Sequence, residues 1–380
     1  MTDGPLSHLR VLDLTRLQPG AFCTGMLADL GADVLRVEQR DGSDPLRTIP
    51  GATAAYHRGK RSITLNLKHE RAPEIVRRLI GGADIVVDSG LPGPLRAARI
   101  GYEAAAREHP RLVWCSLTGF GSSSPYASRA GHDISFLGYS GLLSLVAGTT
   151  VPPTPDFVLS APFGALVSVV GILAAVAERD RTGRGRFVDT SIVDSATWIL
   201  GEAVARVAAG GPAGWGQAAS RRAYRASDGR LLTLAAAEPR TWAAFCAAIG
   251  RPDLEPLLSS QEGQAALAVE LAGIFATRTA AQWVEQLGDT AAAVGPVLSV
   301  EDLLGDAHTA ARGSLIDLTG PDGVPVRALR TPVRYVEADG TPVPFAPGPL
   351  PALGEHTDDA LAAAGFDSDE IAAFHRDGAV

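Results

Sequence analysis

A chain of 380 residues, 46% apolar and 20% charged, carries enough apolar surface for a large core and enough length for more than one domain. That composition excludes a disordered chain, and 42 Gly with 26 Pro show no collagen-like period. With 34 basic against 42 acidic residues the net charge is −8, which argues against nucleic acid and against a polybasic membrane anchor.

The start, MTDGPLSHLR, has neither the basic opening nor the apolar run of a signal peptide, so a cytoplasmic location is expected. Residues 9–14 (LRVLDL) predict a buried strand. Pro19-Gly20 opens a helix to Leu30, with Gly31 placed as its C-terminal cap. Residues 33–38 (DVLRVE) predict a second strand, 73–80 a helix, and 84–87 and 112–117 two further strands. Strand, helix, strand at this spacing predicts an α/β fold with a parallel sheet and right-handed crossovers. The TGFG turn at 118–121 follows a strand end, where open α/β sheets place ligands.

The apolar run at 161–177 is interrupted by Ser168 and is short for a membrane span, so a buried helix over 161–180 is expected and no membrane. Residues 196–218 are rich in Ala and Gly and read as a helix and linker. Beyond them, a hairpin-like SDGRLL segment and Ala-rich helices suggest a smaller second domain. The tail has Pro-rich loops over 342–351 and a final helix. Cys23, Cys115 and Cys246 form no CxxC pair, so neither a disulfide framework nor a metal site is expected. GxGxxG, GxSxG and HExxH are all absent from the sequence.

Five segments together resemble the class III CoA-transferase (CaiB/BaiF) family, which includes α-methylacyl-CoA racemases. They are residues 4–38 (GPLSHLRVLDLTRLQPGAFCTGMLADLGADVLRVE), 57–68 (HRGKRSITLNLK), 111–121 (RLVWCSLTGFG), 169–194 (VVGILAAVAERDRTGRGRFVDTSIVD) and 353–366 (LGEHTDDALAAAGF). The resemblance implies a Rossmann-like large domain from residues 1–195 and 325–380, a small central α+β domain at 219–320 and a linker at 196–218. It also implies an interlocked homodimer, with self as the only macromolecular partner. The substrate would be an acyl thioester of coenzyme A, or of pantetheine on a carrier protein, with no covalently bound cofactor.

Within the family, GHDISF at 131–136 resembles the GHDIN segment of the racemase branch. By that resemblance His132 is a proton-transfer base at the substrate's α-carbon and the backbone N–H of Asp133 holds the thioester oxygen. Glu238, in AAAEPRTWAAF, matches the glutamate beside that histidine. The chemistry agrees: an α-proton next to a thioester is weakly acidic, so its removal needs a base near neutral pKa and donors for the enolate oxygen. A carboxylate beside the histidine fixes its tautomer.

Two departures stand out. The family's catalytic aspartate falls at Ser160 here, and the nearest acid is Asp156, four residues upstream. The resemblance thus leaves a one-base site suited to epimerisation, isomerisation or elimination. The alternatives are a CoA transferase acting through the displaced Asp156, or an altered family member recruited to a biosynthetic pathway or serving as a binding scaffold. Of the family's CoA arginines, one is met by Gln39, with Arg40 one place on, and another by Leu91. Arg40, Arg58, Lys60 and Arg61 are the expected phosphate-binding residues.

Overall fold

The computed structural model describes residues 4–91, 93–146, 155–216, 218–259 and 263–380. The chain divides into two units: one takes the sequence up to Glu202 together with Ala311–Val380, and the other is Ala203–Ala310.

The large unit is built on six parallel strands: β1 (Arg10–Leu14), β2 (Asp33–Glu38), β3 (Lys60–Thr64), β4 (Ile85–Asp88), β5 (Val113–Thr118) and β6 (Phe187–Ser191). Their spatial order is β3-β2-β1-β4-β5-β6. This is the dinucleotide-fold order, in which the direction of winding reverses between the first and fourth strands and ligands sit beyond the strands' carboxyl ends. Register is continuous across that point, with Val11 opposite Val34 on one side and Ile85 on the other.

Alternate side chains of each strand enter different cores. Val11, Val34, Ile85 and Cys115 pack with Cys23 and Leu27 of helix α1 (Leu17–Asp29). Leu12, Val86 and Trp114 pack on the opposite face with Ile75, Val76 and Leu79 of helix α2 (Ala72–Gly81). Leu361 and Phe374 from the C-terminal helices close that second core, which is why the large unit needs both ends of the chain.

Two further helices position the site: α3 (Asp133–Ser140) and α4 (Ser160–Thr182). By length and composition α4 could cross a membrane, but its inner face, including Ala161, Ala165, Val169 and Ile172, is buried in the core with α1. Small residues allow the close approach: a Cβ at Gly164 would lie 2.9 Å from Ile192.

In the small unit β7 (Arg221–Arg225), β8 (Leu231–Ala235) and β9 (Val294–Pro296) form an antiparallel sheet. It covers an aromatic core of Trp242, Phe245, Phe275 and Trp283. The first two strands are the hairpin expected around SDGRLL.

The expected boundaries move. Residues 196–218 are not one linker, since they include the end of helix Ile192–Trp198 and all of helix Gly201–Ala208. The return to the large unit comes at Ala311 rather than 325. The cause is a second hairpin, β10 (Leu315–Thr319) with β11 (Pro325–Leu329), whose Ala328 packs on Ala54 and Leu350.

Candidate functional site

At the switch point, the turns after β1 and β4 are tied together. Arg16 N donates to Ser89 Oγ at 3.0 Å, and the buried Asp88 carboxylate accepts from Trp114 Nε1 at 2.5 Å, Ser116 Oγ at 3.1 Å and Gly90 N at 2.7 Å. Burial raises the Asp88 pKa, with these donors opposing. Leu17 adopts φ 63°, an outlier for a branched side chain, directly beyond this turn.

Inside the sheet end lies a chain of buried charges. Asp13 is fully buried and receives Arg36 Nη1 at 3.1 Å, Lys60 Nζ at 3.3 Å, and the hydroxyls of Thr15 and Thr24, both at 2.6 Å. Burial alone would raise its pKa, but Lys60 and Arg36 with the two hydroxyls lower it to about 2. Burial brings Lys60 down to about 8, against the opposing charge of Asp13. Arg36 continues to Asp44 at 2.5 Å, and Glu38 pairs with Arg47. Glu38, Asp44 and His57 could between them offer three metal ligands. Both carboxylates are already held by arginines, so a divalent cation would have to displace them, and no metal is assigned.

These contacts correct three expectations. Lys60 donates to Asp13, Thr24 and the carbonyl of Ala21, and is closed off from a ligand. Arg58 is buried and forks onto Asp29, with Nη1 on the carbonyls of Ala54 and Ala55. Arg61 is partly exposed, but it forks onto Asp33 at the amino end of the strands, away from the ligand edge. A basic sequence motif cannot tell these inward cations from outward ones.

Arg40 is different. It is exposed beyond β2 and, with Arg16, Gln39, Asp41, Ser43, Asn66, Lys68 and Gly378, lines a cavity of about 340 Å³. Among the described residues, Arg16, Arg40 and Lys68 have no carboxylate partner, and Asp41 is the one acid in this lining. Three cations without a carboxylate partner at the carboxyl edge are the kind of group with which phosphates pair. Arg16 was not expected from the sequence, because it sits alone between β1 and α1. Leu91 is buried in the core and supplies nothing here.

The second part of the site lies beyond β5. His132 is exposed and is the N-cap residue of α3, with extended backbone (φ −126°, ψ 178°). Its carbonyl accepts from Ser135 N at 2.8 Å and Phe136 N at 3.1 Å, leaving its imidazole free of the helix. The amide of Asp133 is in the first helical turn, where N–H groups have no intrahelical acceptor.

The Asp133 carboxylate turns the other way and caps α4. It accepts from Leu159 N at 2.9 Å, Ser160 N at 2.6 Å, Ala161 N at 3.2 Å and Ser160 Oγ at 2.5 Å. Ser160 is fully buried. Asp133 therefore ties together the two helix starts, and the Ser160 hydroxyl is a donor to it rather than a free group. Asp156 is exposed and lies before α4, with no hydrogen bond among the described residues. Glu238 is the exposed N-cap residue of helix Pro239–Ala248 in the small unit, whereas His132 belongs to the large unit.

Two other reactive side chains serve the fold. Cys23 is buried beside Cys115 and its pKa is raised well above its ordinary value, first by burial. His356 accepts from Ser62 N at 3.3 Å and holds a C-terminal helix against β3.

Residues 6–357 match CoA-transferase family III. The chain is 33% identical to the α-methylacyl-CoA racemase of Mus musculus, over 98% of this chain and 96% of that protein. It is 31% identical to the succinate–glutarate CoA-transferase of Agrobacterium fabrum, over 94% of this chain and 95% of that protein. Among solved structures, a CaiB/BaiF family protein from Brucella suis superposes with a TM-score of 0.78 at 30% identity, covering 95% of this chain and 99% of that one.

Proposed function

As the chain belongs to CoA-transferase family III, we propose that it performs acid–base chemistry at the α-carbon of an acyl thioester, with His132 as the base. The observation that carries this reading is the state of position 160. Acyl transfer through a mixed anhydride needs a free carboxylate at the start of α4. Here a serine stands there, and the one carboxylate in contact with it among the described residues, Asp133, is engaged in capping the helix. An exposed imidazole beside a helical N–H is, in contrast, what α-proton removal requires.

In this mechanism His132 takes the α-proton and the Asp133 amide donates to the developing enolate oxygen. With Ser160 turned to Asp133, the enolate regains a proton from His132 or water, at the α-carbon to give exchange or epimerisation or at a further carbon to give isomerisation. Where the β-carbon bears a leaving group, the enolate electrons instead break that bond and expel it, which is elimination. In this reading Glu238 of a second copy in an interlocked homodimer orients His132. Arg16, Arg40 and Lys68 hold the phosphates of coenzyme A, and their density of charge favours the free coenzyme over pantetheine on a carrier protein. A cytoplasmic location belongs to the same proposal.

Similarity to transferases as well as racemases supports a second reading, CoA transfer through Asp156. Incubation of acyl-CoA thioesters in D₂O separates the two. The proposal expects α-deuterium to enter the wild-type product and to be lost in His132→Ala, by about 10²–10⁴-fold in rate. Loss of CoA transfer in Asp156→Ala, with no α-exchange in the wild type, would establish the second reading instead.

A further inference from the structure

The loop that carries His132 also carries an aromatic cluster that the acid–base chemistry does not use. Phe120 lies at its centre, edge-on to Phe136 (ring centroids 5.5 Å), Tyr126 (5.9 Å) and Tyr139 (5.1 Å). Phe136 fixes the cluster to the catalytic turn. A Cβ at Gly119 or at Gly131, the residue before His132, would come within 2.6 Å of its ring. Phe120 and Phe136 are buried, but Tyr126 is 38% and Tyr139 50% exposed.

Arg129 joins these two exposed rings. Its guanidinium lies 3.8 Å from the Tyr126 ring centroid, and Nη1 donates to Tyr139 Oη at 2.8 Å. Among the described residues no carboxylate neutralises it. Two part-exposed tyrosine rings and an unneutralised, planar cation therefore stand three to seven residues either side of the proposed base. Flat π surfaces are held by such groups through edge-to-face, stacking and cation–π contacts, none of which an alkyl chain of equal size can make.

We infer that Tyr126, Arg129 and Tyr139 form an acyl-side subsite that selects thioesters whose acyl group carries an aromatic ring. This rests on the reading of His132 as the base, because that reading brings the acyl group to this loop.

The test compares phenylacetyl-CoA with cyclohexylacetyl-CoA, which share a size and differ in aromaticity. By titration calorimetry the wild type should bind the phenyl thioester about tenfold more tightly, the size of one good aromatic or cation–π contact. Tyr139→Leu and Arg129→Gln should each bring that ratio towards one by weakening phenylacetyl-CoA binding more than cyclohexylacetyl-CoA binding. A wild-type ratio near one, or a ratio that both variants keep, overturns the subsite. Deuterium exchange on the same samples judges the base separately. Exchange without an aromatic preference removes the subsite alone; a preference that both variants abolish, with no His132-dependent exchange, removes the base and keeps the subsite.

Discussion

Two sets of cations border the carboxyl end of the sheet, and they do different work. Lys60 and Arg36 lie inside, buried against Asp13, while Arg16, Arg40 and Lys68 stand outside around an open cavity. Lys60 and Lys68 even come from one short segment, HRGKRSITLNLK. The difference lies in whether the side chain meets a carboxylate. An inner cation without its partner is an uncompensated buried charge, whereas an outer one is already solvated and available to a ligand.

The largest effect is expected of Asp13→Ala, which leaves Lys60 and Arg36 facing each other in the core. It should lower unfolding stability by about 3–5 kcal/mol, read from the denaturant midpoint. Next, the Arg40→Ala, Lys68→Ala double variant should keep the wild-type midpoint and lose about a hundredfold in CoA affinity by calorimetry, as two charge-assisted contacts disappear. If it unfolded instead, the outer set would not be a ligand surface.

A third test uses pH. His57 is buried with neither ring nitrogen hydrogen-bonded, and burial, followed by the charges of Arg36, Lys60 and Arg47, lowers its pKa well below 6.5. The unfolded chain therefore binds a proton that the folded one refuses as pH falls below 6.5. Stability should drop there by up to about 1.4 kcal/mol per pH unit, and His57→Leu should flatten that slope in denaturation series from pH 7 to 5. The smallest effect is expected of Arg61→Ala. Its half-exposed pair with Asp33 lies at the far end of the strands, so the change should cost about 0–1 kcal/mol and leave CoA binding unaltered.

The sequence makes some of this legible. Residues 33–38 coincide with β2 because DVLRVE supplies alternating side chains for two buried faces, and β1, β4 and β5 agree to within a residue for the same reason. β3 is hidden, since KRSIT carries a lysine and a serine that are buried through polar contacts rather than by hydrophobicity. The same blindness affects the site. GHDISF marks His132 by similarity, and Ser160 can be found by counting along α4. That Asp133 caps α4, or that Arg58 forks onto Asp29, depends on partners 27 and 29 residues away, which no local pattern reports. Arg16 and Arg129 are missed for the opposite reason: each is a lone arginine given meaning only by the cavity or rings around it.

The central claim, proton chemistry at His132 in place of acyl transfer, meets its most direct test in one vessel. The protein is incubated in D₂O with an acyl-CoA and a second, isotopically marked free acid, and the thioesters are read by mass spectrometry. α-Deuterium is expected in the original thioester, abolished by His132→Ala, with no thioester of the marked acid. Thioester of the marked acid, formed without α-deuterium in the original, would contradict the claim.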